Sequence, residues 1–266
     1  MIKSIKMFPN NNDKSFNTSK VLEDKFVKNG FVLKDDSFDL GIAIGGDGSF
    51  LRMVKSINFD SNPYYIGVNT GTLGFMQEVH PSKIDDIIAE ILEEKYKINE
   101  IGIQETGVIS NDKLYNYNSL NEIVIRGNNF RVINMDVNID GDYLERYTGD
   151  GLILATSCGS TAHNKSYAGS IVYNNFSTLQ ITPMGRVESN SYNSLENSVI
   201  IPSNMEIKLI PADKNKDYNI TIDGENKLYD NVDEIKTSIK DKKIKMLRFS
   251  HYSFTQKINE KFIRQK

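Results

Sequence analysis

Apolar and polar positions along the first hundred residues alternate between two periods. Residues 1–8 carry a short apolar–polar beat and predict a strand. The asparagine-rich run at 9–13 predicts a loop, and residues 14–28 a helix with Phe16, Val21, Leu22, Phe26 and Val27 on its apolar face. Gly30 stands where a helix-ending glycine belongs. An apolar strand over 38–44 runs straight into Gly45-Gly46-Asp47-Gly48-Ser49, after which helical spacing resumes at Phe50, Leu51, Met53 and Val54. Residues 64–68 predict another strand, followed by a second glycine-rich loop at 69–75. Ser82 is predicted to cap a helix, with Asp85 three residues on and Ile84, Ile87, Ile88, Ile91 and Leu92 along one face. Strands alternating with helices predict a parallel, Rossmann-like sheet. Ligands of such sheets bind beyond the carboxyl ends of the strands, where both glycine loops fall and could share one crevice.

Past about Tyr96 the helical period fades and a period of two takes over. Strands are predicted at 101–110, 120–126 and 132–139, the last with Ile133, Met135, Val137 and Ile139 on one face. Asp140-Gly141 predicts a hairpin turn into 143–147, and further strands follow at 198–201, 205–210, 218–223 and 244–249. The prediction is an α/β domain over 1–98 and an all-β domain, a β-sandwich of stacked antiparallel sheets, over 99–249. No proline- or serine-rich linker separates the two.

Composition narrows the function classes. The chain of 266 residues is 39% hydrophobic and 25% charged, enough for a substantial core. A net charge of −3 provides no global field for nucleic acid or an anionic membrane, and neither is an expected partner. The lysines at 240–245 are interspersed with acid and read as a solvated face. Cys158 is the only cysteine, so no internal disulfide can form. With no apolar run of membrane-spanning length and no signal-like N-terminal segment, the expected location is cytoplasmic.

Three stretches carry candidate chemistry. Asp150-Gly151 precedes an apolar run, Leu152 to Ala155, and then a series of small and hydroxyl residues ending in a single-turn helix candidate at 163–166. Small side chains admit a ligand close to the backbone, which suits a polar, nucleotide-like molecule; a buried strand and turn is the alternative. The glycines of 45–49 expose N–H groups that can surround a phosphate. Asp47 among them fits a metal-holding or proton-accepting role in phosphoryl transfer, or caps the following helix. Asn121-Glu122 lies in an apolar strand, and both side chains reach one ligand only at a strand end or bulge.

Taken in order, Gly45-Gly46-Asp47-Gly48-Ser49, Asn121-Glu122, the stretch from Thr148-Gly149-Asp150-Gly151 to Ser166, and Ile222-Asp223-Gly224 resemble the NAD kinases across nearly the whole chain. The first motif is shared with lipid kinases and 6-phosphofructokinases; the Gly159 to Ser166 segment is far more specific. The resemblance implies an α/β domain joined by the C-terminal tail, 250–266, a β domain, and a homodimer or homotetramer. It implies that the adenosine ribose 2′-hydroxyl of NAD attacks the γ-phosphate of ATP, or polyphosphate in some members, with Mg²⁺ or another divalent ion of unassigned ligands. Asp47 would be the general base and, with Gly48, touch NAD. Gly45, Gly46, Gly48 and Ser49 would form the phosphate-donor loop. Asn121 and Glu122 would take the adenosine end, Asp150 the nicotinamide side, and Thr148, Thr161, Ala162, His163, Asn164, Lys165, Ser166 and Gly185 would line the NAD site. The chain departs from the family pattern at Thr148, Ser157, His163, Ala168 and 191–198. A non-catalytic NAD(P)-binding module and a lipid or sugar kinase are the competing readings.

Overall fold

Leu40–Gly45 is buried at every position, and a strand without a polar face must be covered on both sides. It is the central strand of the first of two compact parts in the computed structural model, which describes every residue except 72–73, 189–192, 214–216 and 265–266. Thr72 and Leu73 of the second glycine loop, and part of the 191–198 segment, lie outside the described residues. One compact unit comprises residues 1–101 and 243–266, the other 102–242.

In chain order the first unit holds β1 (Ser4–Pro9), α1 (Asp13–Lys28), β2 (Val32–Leu33), β3 (Leu40–Gly45), α2 (Asp47–Ser56), β4 (Tyr64–Asn69) and α3 (Ile84–Leu92). There follow β5 (Lys97–Ser110), β6 (Lys113–Ser119), β7 (Glu122–Gly127), β8 (Ile133–Ile139), β9 (Asp142–Thr156), β10 (Thr178–Arg186), β11 (Val199–Pro202), β12 (Ile207–Pro211), β13 (Tyr218–Ile222), β14 (Glu225–Tyr229), β15 (Val232–Arg248) and α4 (Phe254–Ile258).

The sheet of the first unit runs β2-β1-β3-β4 and ends on the last residues of β15, every pair parallel. Its core joins Ile5, Ile42, Ile44, Ile66, Val68 and Leu247 to Leu22, Phe26, Ile87 and Ile88 of the helices. The α1 face differs from expectation. Ser15, Ser19, Leu22 and Phe26 are buried, while Phe16, Val21 and Val27 are exposed. The buried four follow helical spacing, and the two serines let the helix lie close to the sheet. Ser82 does not cap α3. A 3₁₀ turn, Pro81–Lys83, precedes that helix, and the His80 ring nitrogen accepts the Ser82 N–H at 3.3 Å. Leu92 is likewise exposed rather than part of the buried isoleucine face.

The second unit is strand-rich, as its alternating pattern predicts. Its antiparallel strands run β14-β13-β7-β9-β8-β12-β15; β10 pairs with β9 and β11, and β5 with β6. They enclose an apolar core that includes Ile123, Ile125, Ile133, Met135, Tyr147, Leu152, Leu154, Leu209, Ile220 and Ile235, with a smaller cluster of Val124, Ile153, Ala155 and Met184 beside it in the unit. Asp140 and Gly141 both take positive φ, 54° and 93°, as a tight hairpin turn requires. Among the described residues no helix is long and apolar enough to cross a membrane.

Candidate functional site

In the first unit the chain leaves β3 through Gly45 and starts α2 at Asp47. Gly45 has φ +148°, and a Cβ there would collide with Ser49 Oγ, so the turn needs glycine. Asp47 sits at the first helical position, and both of its carboxylate oxygens accept backbone N–H groups from the second glycine loop. Oδ2 accepts from Phe75 at 3.0 Å and Oδ1 from Met76 at 3.0 Å. Gly74 passes so close that a Cβ would strike Oδ1. Gln77 adds a bond from Nε2 to the Gly46 carbonyl at 3.0 Å. The two glycine loops are therefore joined at the carboxyl ends of β3 and β4, with Asp47 as the link. A carboxylate offers about four lone-pair positions. Two are taken by backbone, which leaves acceptor capacity for a proton. Ser49 is buried, its N–H bonded to the Gly46 carbonyl at 2.8 Å, whereas Gly48 borders open space near Arg52.

In the second unit one aspartate organises the Asn121-Glu122 pair. Asp223 Oδ2 accepts the Leu120 N–H at 2.8 Å, and Oδ1 accepts those of Asn121 at 2.8 Å and Glu122 at 3.3 Å. Asp223 and Gly224, both at positive φ, form the turn between β13 and β14. Strand β7 begins at Glu122, so Asn121 stands at a strand end, where neighbouring side chains can serve one ligand. Gly159 packs against the Asn121 carbonyl, where a Cβ would not fit. Asn121 Oδ1 and Glu122 Oε2 are buried and have no hydrogen-bond partner among the described residues. Burial, then the charge of Asp223, pushes the Glu122 carboxyl up to about 8, against the pull of the His163 backbone N–H. Glu122 therefore carries a proton near neutral pH, which turns one of its oxygens into a donor.

A cavity of about 730 Å³ opens beside Glu122; Asn121 is not among the residues of its wall. Glu122, Val124 and Arg126 line it as alternate residues of β7, with Asp150, His163 and Tyr167 also in its wall. The His163 imidazole lies below its ordinary pKa through burial and the Arg126 charge, and its neutral form is favoured. The guanidinium of Arg126 donates to the Tyr167 hydroxyl at 2.7 Å, while its Nε is buried without a partner among the described residues. Sequence reasoning missed Arg126 and Tyr167. The signal for Arg126 was strand parity, since it shares a face with Glu122.

The remaining predicted residues are placed as follows. Thr148 is buried, its Oγ1 bonded to Asn134 at 2.9 Å. Gly185, at φ +55°, packs directly on the Asp150 carboxylate. Thr161 closes a 3₁₀ turn and bonds the Cys158 carbonyl at 3.3 Å, and Ala162 leads into the 3₁₀ turn His163–Tyr167. Asn164 is fully buried, its Oδ1 accepting from Thr182 at 2.6 Å and its Nδ2 donating to Gln180. Lys165 and Ser166 are exposed on the same turn. Ala168 ends that turn at φ +56°, a left-handed position. Among the described residues no group of three or more His, Cys, Asp or Glu is placed to hold a metal ion.

Comparison with known proteins bears on both units. Residues 4–96 match the ATP-NAD kinase N-terminal domain, and residues 120–248 match the ATP-NAD kinase C-terminal domain. The NAD kinase of Finegoldia magna is 36% identical over 269 residues, covering 98% of both chains. That of Streptococcus pneumoniae is 30% identical over 264 residues, covering 98% of this chain and 96% of its own. Among solved structures, yeast NADH kinase complexed with NADH aligns at a TM-score of 0.82 and 20% identity, over 97% of this chain and 87% of that one. An NAD kinase from Archaeoglobus fulgidus in complex with ATP aligns at 0.73 and 19% identity, over 94% of each. The chain belongs to the ATP-NAD kinase family of phosphotransferases.

Proposed function

We propose that the protein transfers the γ-phosphate of ATP to the adenosine ribose 2′-hydroxyl of NAD, giving NADP, with Asp47 as general base. The observation that carries this reading is the fixing of the Asp47 carboxylate by two successive backbone N–H groups at the start of α2. Phosphoryl transfer is catalysed mainly by positioning and charge neutralisation. As the 2′-oxygen bonds the γ-phosphorus, the bond to the β-phosphate oxygen breaks and ADP leaves; Asp47 takes the hydroxyl proton. Gly45, Gly46, Gly48 and Ser49 offer the donor phosphates a turn at a helix N-terminus. A divalent ion, Mg²⁺ by preference, would arrive on the ATP phosphates, since such ions are commonly held by phosphates and one or two carboxylates.

In this reading NAD is held by the second unit. Its polar groups would satisfy the buried, unpartnered Asn121 Oδ1 and Glu122 Oε2, a protonated Glu122 serving as donor. His163, Thr161, Ala162, Asn164, Lys165 and Ser166 form the adjoining turns, and Asp150, braced by Gly185, stands in the cavity wall. Incubation with NAD, ATP and Mg²⁺ is expected to yield NADP, with polyphosphate run in parallel to identify the donor. Binding of NAD without any phosphorylated product would favour the non-catalytic module.

A further inference from the structure

The C-terminal tail buries a lysine to which no acid among the described residues is bonded, although the charges of Glu78 and Asp47 act on it. Lys257, on α4, is only 5% exposed. Its Nζ donates to the Gly74 carbonyl at 2.8 Å and lies 3.5 Å from the Phe75 carbonyl. Burying an ammonium is costly, and burial is the main reason its pKa falls to about 8. These two carbonyls belong to the peptide groups whose N–H ends, on Phe75 and Met76, hold the two oxygens of Asp47. In a trans peptide the C=O and N–H point in opposite directions. Two consecutive peptide groups thus run from a lysine at one end to the aspartate at the other, and a cation on the carbonyl strengthens the donor N–H. The tail grips the same residue a second way. The Phe75 ring lies 5.7 Å from Phe254 and 5.5 Å from Phe262, and Arg248, paired with Glu78, reaches the Phe75 carbonyl at 3.5 Å.

We propose that Lys257 is a positioning residue for phosphoryl transfer: by bonding the Gly74 and Phe75 carbonyls it orients the two peptide groups that aim the Asp47 carboxylate. The inference rests on Asp47 being the general base, so the experiment separates the two claims.

NADP formation is measured for the wild-type protein, Lys257→Met, Asp47→Asn, the double variant and Phe262→Ala, with kcat and both KM values for each. Methionine keeps most of the volume and removes the donor. Lys257→Met is expected to lower kcat about 10- to 100-fold, the scale of a misplaced catalytic group, with both KM values nearly unchanged. In the Asp47→Asn background it is expected to have no further effect, because it acts through that carboxylate. Phe262→Ala spares the buried charge and is expected to lower kcat about threefold through loss of one ring contact; it carries the test if Lys257→Met does not fold. An unchanged kcat in the folded variants overturns the proposal. So does a raised KM for ATP at constant kcat, which makes Lys257 a phosphate ligand, or an equal loss in both backgrounds. Full turnover by Asp47→Asn instead defeats the base assignment itself.

Discussion

The two carboxylates at the centre of this account are held in opposite ways. Asp47 is partnered on both oxygens by a loop that is itself pinned by Gln77, Lys257 and Arg248. Glu122 is anchored through its backbone by Asp223, but its side chain keeps an oxygen without a partner among the described residues, as does that of Asn121. A buried polar atom left unpaired costs free energy until something bonds it. The contrast separates two tasks. In the proposed reaction Asp47 would be aimed before substrate arrives, whereas the Asn121-Glu122 pair would be completed by a ligand.

The contrast breaks most sharply at Gly74. Gly74→Ala places a methyl group against the Asp47 carboxylate, and turnover is expected to fall about 100-fold or more while NAD affinity changes little. Steady-state kinetics beside a binding titration would show it. On the other side, Asp223→Ala strips the acceptor from three backbone N–H groups. A loss of about 2–3 kcal/mol in urea unfolding is expected, as for buried donors left without acceptors, together with weaker NAD binding.

Glu122 sharpens the comparison through pH. Its folded pKa, about 8, lies above the model-peptide value of 4.5, so the folded state binds the extra proton. The stability it contributes is fully present below about pH 4.5 and is lost as pH rises through about 8. Glu122→Gln is expected to flatten that decline in melting temperature between pH 5 and 9; an unaltered slope would assign it to other groups. The smallest effect is expected at His163, whose neutral ring lies 5.3 Å from that of Tyr167. His163→Tyr enlarges the ring available for stacking and should tighten NAD about two- to fivefold, read by calorimetry.

Legibility in the sequence followed the range of the forces involved. The unbroken apolar run of β3, the alternation of β8 and the Asp140-Gly141 turn are local signals, and each formed as read. The strands β6 and β14 and the first half of β15 were missed because their exposed faces are rich in polar residues, as in KLYNYNS and in VDEIKTSIKDK, and β10 because the buried Gln180 and Thr182 interrupt its apolar run. β6 and β14 are hairpin partners of β5 and β13 across two-residue turns, whereas β10 and β15 are placed by β9 and β12, more than twenty residues away. The cap at Ser82 failed for a local reason, since its hydroxyl pairs with the His80 ring nitrogen at 2.8 Å instead of with an N–H of α3. Asp47 and Glu122 were legible as residue types in motifs. Their circumstances were not, because Phe75 and Met76 lie 28 and 29 residues from Asp47, and Asp223 lies 101 residues from Glu122.

The central claim is that Asp47 acts in the chemical step and not in holding NAD. Its direct test is Asp47→Asn, followed by NADP formation and NAD affinity on the same preparation. Turnover is expected to fall about 10²- to 10⁴-fold, the usual contribution of a general base, with the dissociation constant for NAD within a factor of about two to three of the wild type, a difference worth well under 1 kcal/mol. Turnover retained at the wild-type level, or a loss explained entirely by weakened NAD binding, would contradict it.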